Sequence, residues 1–209
     1  MATSAQNAAA QLRLIAKSRT YDSVAELRKA DGAVRHKCFL SYHSDDAAEV
    51  EEFVNAYEAV FIPKVIGISE DYGTLIDSYD DDYVMDAIRE RYLTDSTVTI
   101  VFVGACTSTR KFIDWEVYSS LRNDSKNRRN GLVAIQLKSN SNGKGRLPSR
   151  VDLNVGEKDS ETYSRYWVYP GSATSAQSQI EDAFQARTTR SKWLKLGGAR
   201  QKANSTCVN

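Results

Sequence analysis

Apolar and polar positions along the chain follow two periods, one helical and one of short continuous runs. Ala8, Leu12, Ile15 and Ala16 recur at helical spacing, and residues 5–30 predict one or two helices, the second opened by Ser23 and closed by Gly32. Lys37 to Tyr42 is a short apolar strand. Asp45 or Asp46 then caps a helix whose Ala48, Phe53, Val54 and Tyr57 supply a buried stripe. Phe61 to Ile68 holds a second strand, with Pro63 placing an irregularity near its start. Tyr83 to Leu93 predicts a helix with Val84, Ile88 and Tyr92 on one face. Val98 to Val103 is a third, largely apolar strand ending at Gly104, followed by a polar turn and a helix that sets Ile113, Val117 and Leu121 one above another. A fourth strand spans Leu132 to Lys138, a last strand Tyr166 to Tyr169, and a last helix Ala176 to Ala186 with Ile180, Ala183 and Phe184 inward. Strands alternating with helices imply right-handed crossovers and a sheet covered on both faces. The expected fold is α/β and flavodoxin-like, with a five-stranded, mainly parallel sheet.

The connections add boundaries. Gly67 to Asp82 is long and acidic, either a functional loop or a solvated one. Around Gly143 and Gly145 the chain is loop-like but forms no phosphate cradle, because no helix opens directly after them. Residues 190–209 are basic and read as a frayed, flexible tail. The chain thus divides into a helical extension over 1–34, an α/β domain over 35–189 and the tail.

Composition narrows the class. With 209 residues, 41% of them hydrophobic and 26% charged, the chain suits one substantial globular domain with appendages. A net charge of +1 gives no bulk electrostatic case for nucleic acid or an anionic membrane. No apolar run approaches bilayer length, and no secretory signal is visible. An acid-free start carrying Arg13, Lys17 and Arg19 resembles a transit peptide only faintly, and its apolar spacing favours an ordinary helix. Cys38, Cys106 and Cys207 are unpaired by spacing, which suggests a reducing compartment and a cytoplasmic setting. With only His36 and His43, no metal site is expected.

The chemistry of interest lies beyond the third strand. Ligands of open α/β sheets bind past the carboxyl ends of the strands. Glu116 falls near that edge in the first turns of a helix, beside Trp115. Such a carboxylate either stabilises a cation or merely offsets the helix dipole. Trp115 is either a stacking platform or a packing residue.

CFLSYHSDD resembles the first strand of TIR-type domains. The run from Ile76 to Asn123, with its tyrosine-ended helix, apolar strand, Arg110–Lys111 pair and Trp115–Glu116 step, resembles the bacterial TIR-like group that includes the sensor subunit of the Thoeris anti-phage system. NRRNGLVAIQL continues the likeness, which spans residues 35 to 138. The resemblance implies an enzyme, an NAD+ nucleosidase or ADP-ribosyl cyclase, that makes a cyclic ADP-ribose-type or related ADP-ribose signal. It implies Glu116 as the catalytic residue and substrate contacts from Ser41, Tyr42, His43 and Asp45, with Trp115 or Tyr42 able to stack on a base. NAD+ would be a substrate, with no separate cofactor. The implied partners are a separate effector protein, a phage-derived trigger and further copies of the chain ordered through the Gly67 to Asp82 loop.

Two other readings stand beside it. A TIR-like module can act as a non-catalytic scaffold. A response-regulator receiver shares the fold and an acidic pair after the first strand, which Asp45 and Asp46 mimic. The receiver also needs an aspartate at the end of the third strand, where this chain has Phe102, Val103 and Gly104.

Overall fold

A computed structural model describes residues 1–21, 34–66, 83, 86–87, 90, 93–124, 128–143, 145–156 and 161–207. The expected second N-terminal helix, most of the Tyr83 to Leu93 helix and the Gly67 to Asp82 connection lie outside the described residues.

The strands are β1 (His36–Ser41), β2 (Phe61–Lys64), β3 (Val98–Val103), β4 (Gly131–Gln136) and β5 (Arg165–Trp167). They form one sheet in the order β2-β1-β3-β4-β5, every pair parallel. This is the flavodoxin-like order. Both faces of β3 are covered, so all six of its residues are buried, which is why its sequence is a continuous apolar run rather than an alternating one. Pro63 pairs with Cys38 in register on β2, an edge strand, where the missing N–H is tolerated.

Five helices of at least seven residues flank the sheet among the described residues: α1 (Ser4–Thr20), α2 (Ala47–Tyr57), α3 (Lys111–Leu121), α4 (Ser149–Val155) and α5 (Ala173–Thr189). On one face, Leu14 and Ile15 of α1, Val50, Phe53 and Val54 of α2 and Ile180 and Ala183 of α5 pack on Leu40, Ile100, Phe102 and Ile135. On the other, Ile113, Val117 and Leu121 of α3 and Val151 of α4 pack on Val101, Val103, Leu132 and Ala134. Alternate residues of each strand serve opposite faces. Gly131 lets α5 sit directly on β4, since any Cβ there would overlap the Ala183 carbonyl.

Three sequence readings need correction. The buried face of α1 is Asn7, Ala10, Leu14, Ile15 and Ser18, whereas Ala8, Leu12 and Ala16 are exposed. Two members of that face are polar and bond into the core: Asn7 Oδ1 accepts the Ala48 N–H at 3.0 Å and Ser18 Oγ the Val65 N–H at 3.2 Å. An apolar-period reading skips such positions.

Second, the tail is not frayed between Arg190 and Cys207. The Gln201 N–H donates to Asp114 Oδ2 at 2.9 Å, Trp115 Nε1 to the Gln201 carbonyl at 2.8 Å, and the Ser205 N–H to the Thr109 carbonyl at 2.9 Å.

Third, Cys106 and Cys207 form a disulfide across 101 residues, with Cα atoms 5.2 Å apart, leaving buried Cys38 free. Unpaired cysteines therefore no longer point to a reducing compartment. No helix among the described residues is long and apolar enough to cross a membrane.

Candidate functional site

Ser41 closes β1, the point where the chain leaves the sheet at its carboxyl edge. Its side chain is 1% exposed, and its Oγ donates to Glu116 Oε2 at 2.6 Å. Glu116 is set by α3, whose Ile113–Val117–Leu121 stripe seats the helix on β3 and β4. The sequence places Glu116 at the margin of that stripe. In the fold it is buried, because β1 and residues around Ile66 cover the adjacent helix face.

A cavity of about 60 Å³ opens on this carboxyl group. Leu40, Val65 and Ile66 give it apolar walls, and Gln11, Tyr42 and Glu116 give it polar ones. Desolvation pushes the Glu116 carboxyl up to about 8, against the Ser41 hydrogen bond, which pulls it down. At neutral pH the group is therefore mostly protonated in the free protein. The Tyr42 hydroxyl is buried without a hydrogen-bond partner among the described residues. Burial and then the Glu116 charge raise its pKa, so it remains a neutral donor.

His43 and Asp45 do not line this cavity. His43 Nδ1 accepts the Asp45 N–H at 3.0 Å and so caps the 3-10 turn Ser44–Asp46. With Nδ1 accepting, the neutral ring carries its proton on Nε2. Burial and then the charge of Arg110 hold the imidazole below its ordinary value, with Asp45 opposing. The Asp45 side chain is 76% exposed.

Asp46, which the sequence offers as a cap and as half of the receiver-like acidic pair, gives no cap hydrogen bond to α2. Its carboxyl instead lies over Gly104 at the end of β3, where any Cβ would collide with it. Burial, then Glu49 and Asp45, push it up to about 7, and Oδ2 is buried without a partner among the described residues. The Asp-Asp step after β1 and the glycine after β3 are the signals that point to it.

Trp115 is 1% exposed and belongs to the core with Phe39, Ile66, Ala87 and Leu93. Phe112 meets its ring edge-on at 5.4 Å, and Lys111 and Arg200 place cations 4.9 and 5.8 Å from its centroid. Together with the Nε1 bond to Gln201, these neighbours leave no open ring face for a substrate base. A step of one residue on a helix turns the side chain by about 100°, which is why Trp115 and Glu116 look in different directions. Among the described residues no group of three or more His, Cys, Asp or Glu side chains is arranged to hold a metal ion.

The site's main components therefore come together as Ser41, Tyr42 and Glu116, with Gln11 added from α1. Residues 39–142 match the family model described as Thoeris protein ThsB, TIR-like domain. The match begins within β1, takes in α2, β2, β3, α3 and β4, and leaves α1, α4, β5, α5 and the tail outside it. No curated protein matches the sequence.

Proposed function

Since this chain belongs to the TIR-like family of the Thoeris protein ThsB, we propose that it cleaves the nicotinamide–ribose bond of NAD+ and makes a cyclic ADP-ribose-type or related ADP-ribose signal in anti-phage defence. The observation that supports this reading is the Glu116 carboxyl: buried, held by Ser41, facing a cavity, with no cation opposing it among the described residues.

Loss of nicotinamide leaves positive charge on the ribose, and a fixed carboxylate beside that ring stabilises it. The pyridinium of NAD+ is itself a cation. Its approach lowers the pKa of a nearby carboxyl, so the substrate drives Glu116 into the ionised form that the transition state needs. Nicotinamide departs as a neutral base and takes the bonding pair with it, so no general acid is required. One carboxylate then serves where ordinary glycosidases use two. Water attack gives ADP-ribose and a proton. Attack by a nucleophile from the adenosine half closes a ring instead, where water is excluded. Tyr42 donates, in this reading, to a ribose or phosphate oxygen. His43 and Asp45 act, in this reading, by shaping the turn after β1. NAD+ is substrate rather than resident cofactor, a phage-derived trigger sets the activity, and a separate effector protein reads the product.

Incubating the purified protein with NAD+ and its trigger, and following nicotinamide by chromatography, tests this. Release is expected, and its absence from the triggered protein contradicts the reading. A non-catalytic interaction module is the second reading. The cavity size favours it, since about 60 Å³ is small beside roughly 300–1,000 Å³ for ligand pockets. Failure of the protein to bind NAD+ selects it.

A further inference from the structure

Helix α1 lies outside the segment matched by the family, yet it supplies a wall of the Glu116 cavity. Asn7, Gln11 and Ser18 fall on one side of the helix, four and seven residues apart. The outer two are anchors: Asn7 holds the start of α2 through Ala48, and Ser18 holds the chain after β2 through Val65. Lys17 adds bonds to Asn55 at 2.8 Å and Glu58 at 2.6 Å. Gln11 lies between the anchors, so its position over the cavity is fixed at both ends of the helix. It lines that cavity with Leu40, Tyr42, Val65, Ile66 and Glu116.

We propose that Gln11 is a specificity-determining residue of this site, its Oε1 accepting an N–H of the carboxamide of the nicotinamide group held against Glu116. This rests on the NAD+ reading above. A glutamine carboxamide has one acceptor oxygen and two N–H donors, the complement of a substrate carboxamide. The three aliphatic walls suit the flat ring that carries it. Glu116 and Tyr42 offer carboxyl and hydroxyl groups, so Gln11 brings the only carboxamide among the described lining residues.

The test uses the full-length protein carrying Glu116→Ala, expected to bind substrate without turning it over and adding no second carboxamide to the cavity, and calorimetry with NAD+ and with the analogue whose carboxamide is replaced by an acetyl group. Adding Gln11→Ala is expected to weaken NAD+ binding about three- to tenfold, the usual scale for one neutral hydrogen bond. It is expected to leave the acetyl analogue, which lacks the amide donors, much less affected. Leu12→Ala, at a residue 63% exposed on the same helix, is the folding and helix control and should change neither. Equal NAD+ binding with and without Gln11→Ala, or equal weakening for both dinucleotides, overturns the role of Gln11 while the NAD+ reading stands. Absence of NAD+ binding to Glu116→Ala itself overturns the NAD+ reading, and Gln11 loses its proposed ligand with it.

Discussion

Glu116 has opposite effects on stability and on the proposed chemistry. Its folded-state pKa of about 8 lies above the ordinary 4.5, so between those values the native protein keeps a proton that the unfolded chain releases. Stability from this group is fully present at acid pH and is lost as pH rises through that window. Glu116→Gln removes the ionisable group and keeps its size. The variant should melt higher than the parent at pH 8.5, match it near pH 4, and lose about 10²–10³-fold in NAD+ turnover. Melting curves and turnover on one preparation check this, and a variant that melts lower yet turns over normally contradicts it. The same carboxyl sets a pH dependence. For the free protein, kcat/KM should rise with pH and level off above about 8, and a flat profile from pH 6 to 9 counts against Glu116 as the charge-bearing group. Position in the first turns of a helix marked Glu116 as an acid near the carboxyl edge of the sheet, and the family resemblance, not spacing, grouped it with Ser41 and Tyr42. The burial of Glu116 was not, because its cover comes from residues about 50 to 75 positions earlier, which no local period reports. Trp115 was ambiguous for the same reason: its indole partner, Gln201, is 86 residues away.

The elements most misjudged from sequence are those held by polar groups. In α1, Ser18→Ala leaves the Val65 N–H without its acceptor in a buried setting, at a cost of about 1–3 kcal/mol. Urea titration should show that loss, and an unchanged midpoint would mean that α1 docks by its apolar face alone. The tail presents mostly exposed residues and is tied down by backbone hydrogen bonds and by Cys106–Cys207, so composition alone reads it as free. Cys207→Ser should open the bonds after Arg200 and Lys202 to trypsin, with hydrogen exchange in β3 unchanged. Equal protease resistance in the variant would show that the hydrogen bonds suffice. The short α4 escaped notice because seven residues hold scarcely two helical turns, too few to establish a period, and its buried Arg150 and Asn154 break the apolar signal further.

For the molecule as a whole, the pattern was informative where the sheet is buried. The apolar runs of β1, β3 and β4 and the alternation with helices sufficed for a parallel, flavodoxin-like sheet. The short edge strand β5 is weaker in sequence because Tyr166 and Trp167 are partly exposed. Long-range pairings, from the disulfide to the meeting of α1 with Glu116, follow from the folded topology and leave no mark on local spacing. The proposed chemistry depends on that topology, which sets Glu116 at the carboxyl edge of β1 as the residue through which NAD+ would be consumed. Nucleotide mass spectrometry on phage-infected cells carrying the chain with its effector, as wild type and as Glu116→Gln, tests it most directly. NAD+ is expected to fall and ADP-ribose-type products to appear with the wild-type chain, and both changes are expected to vanish in the variant. Equal NAD+ loss and equal product with Glu116→Gln would contradict it.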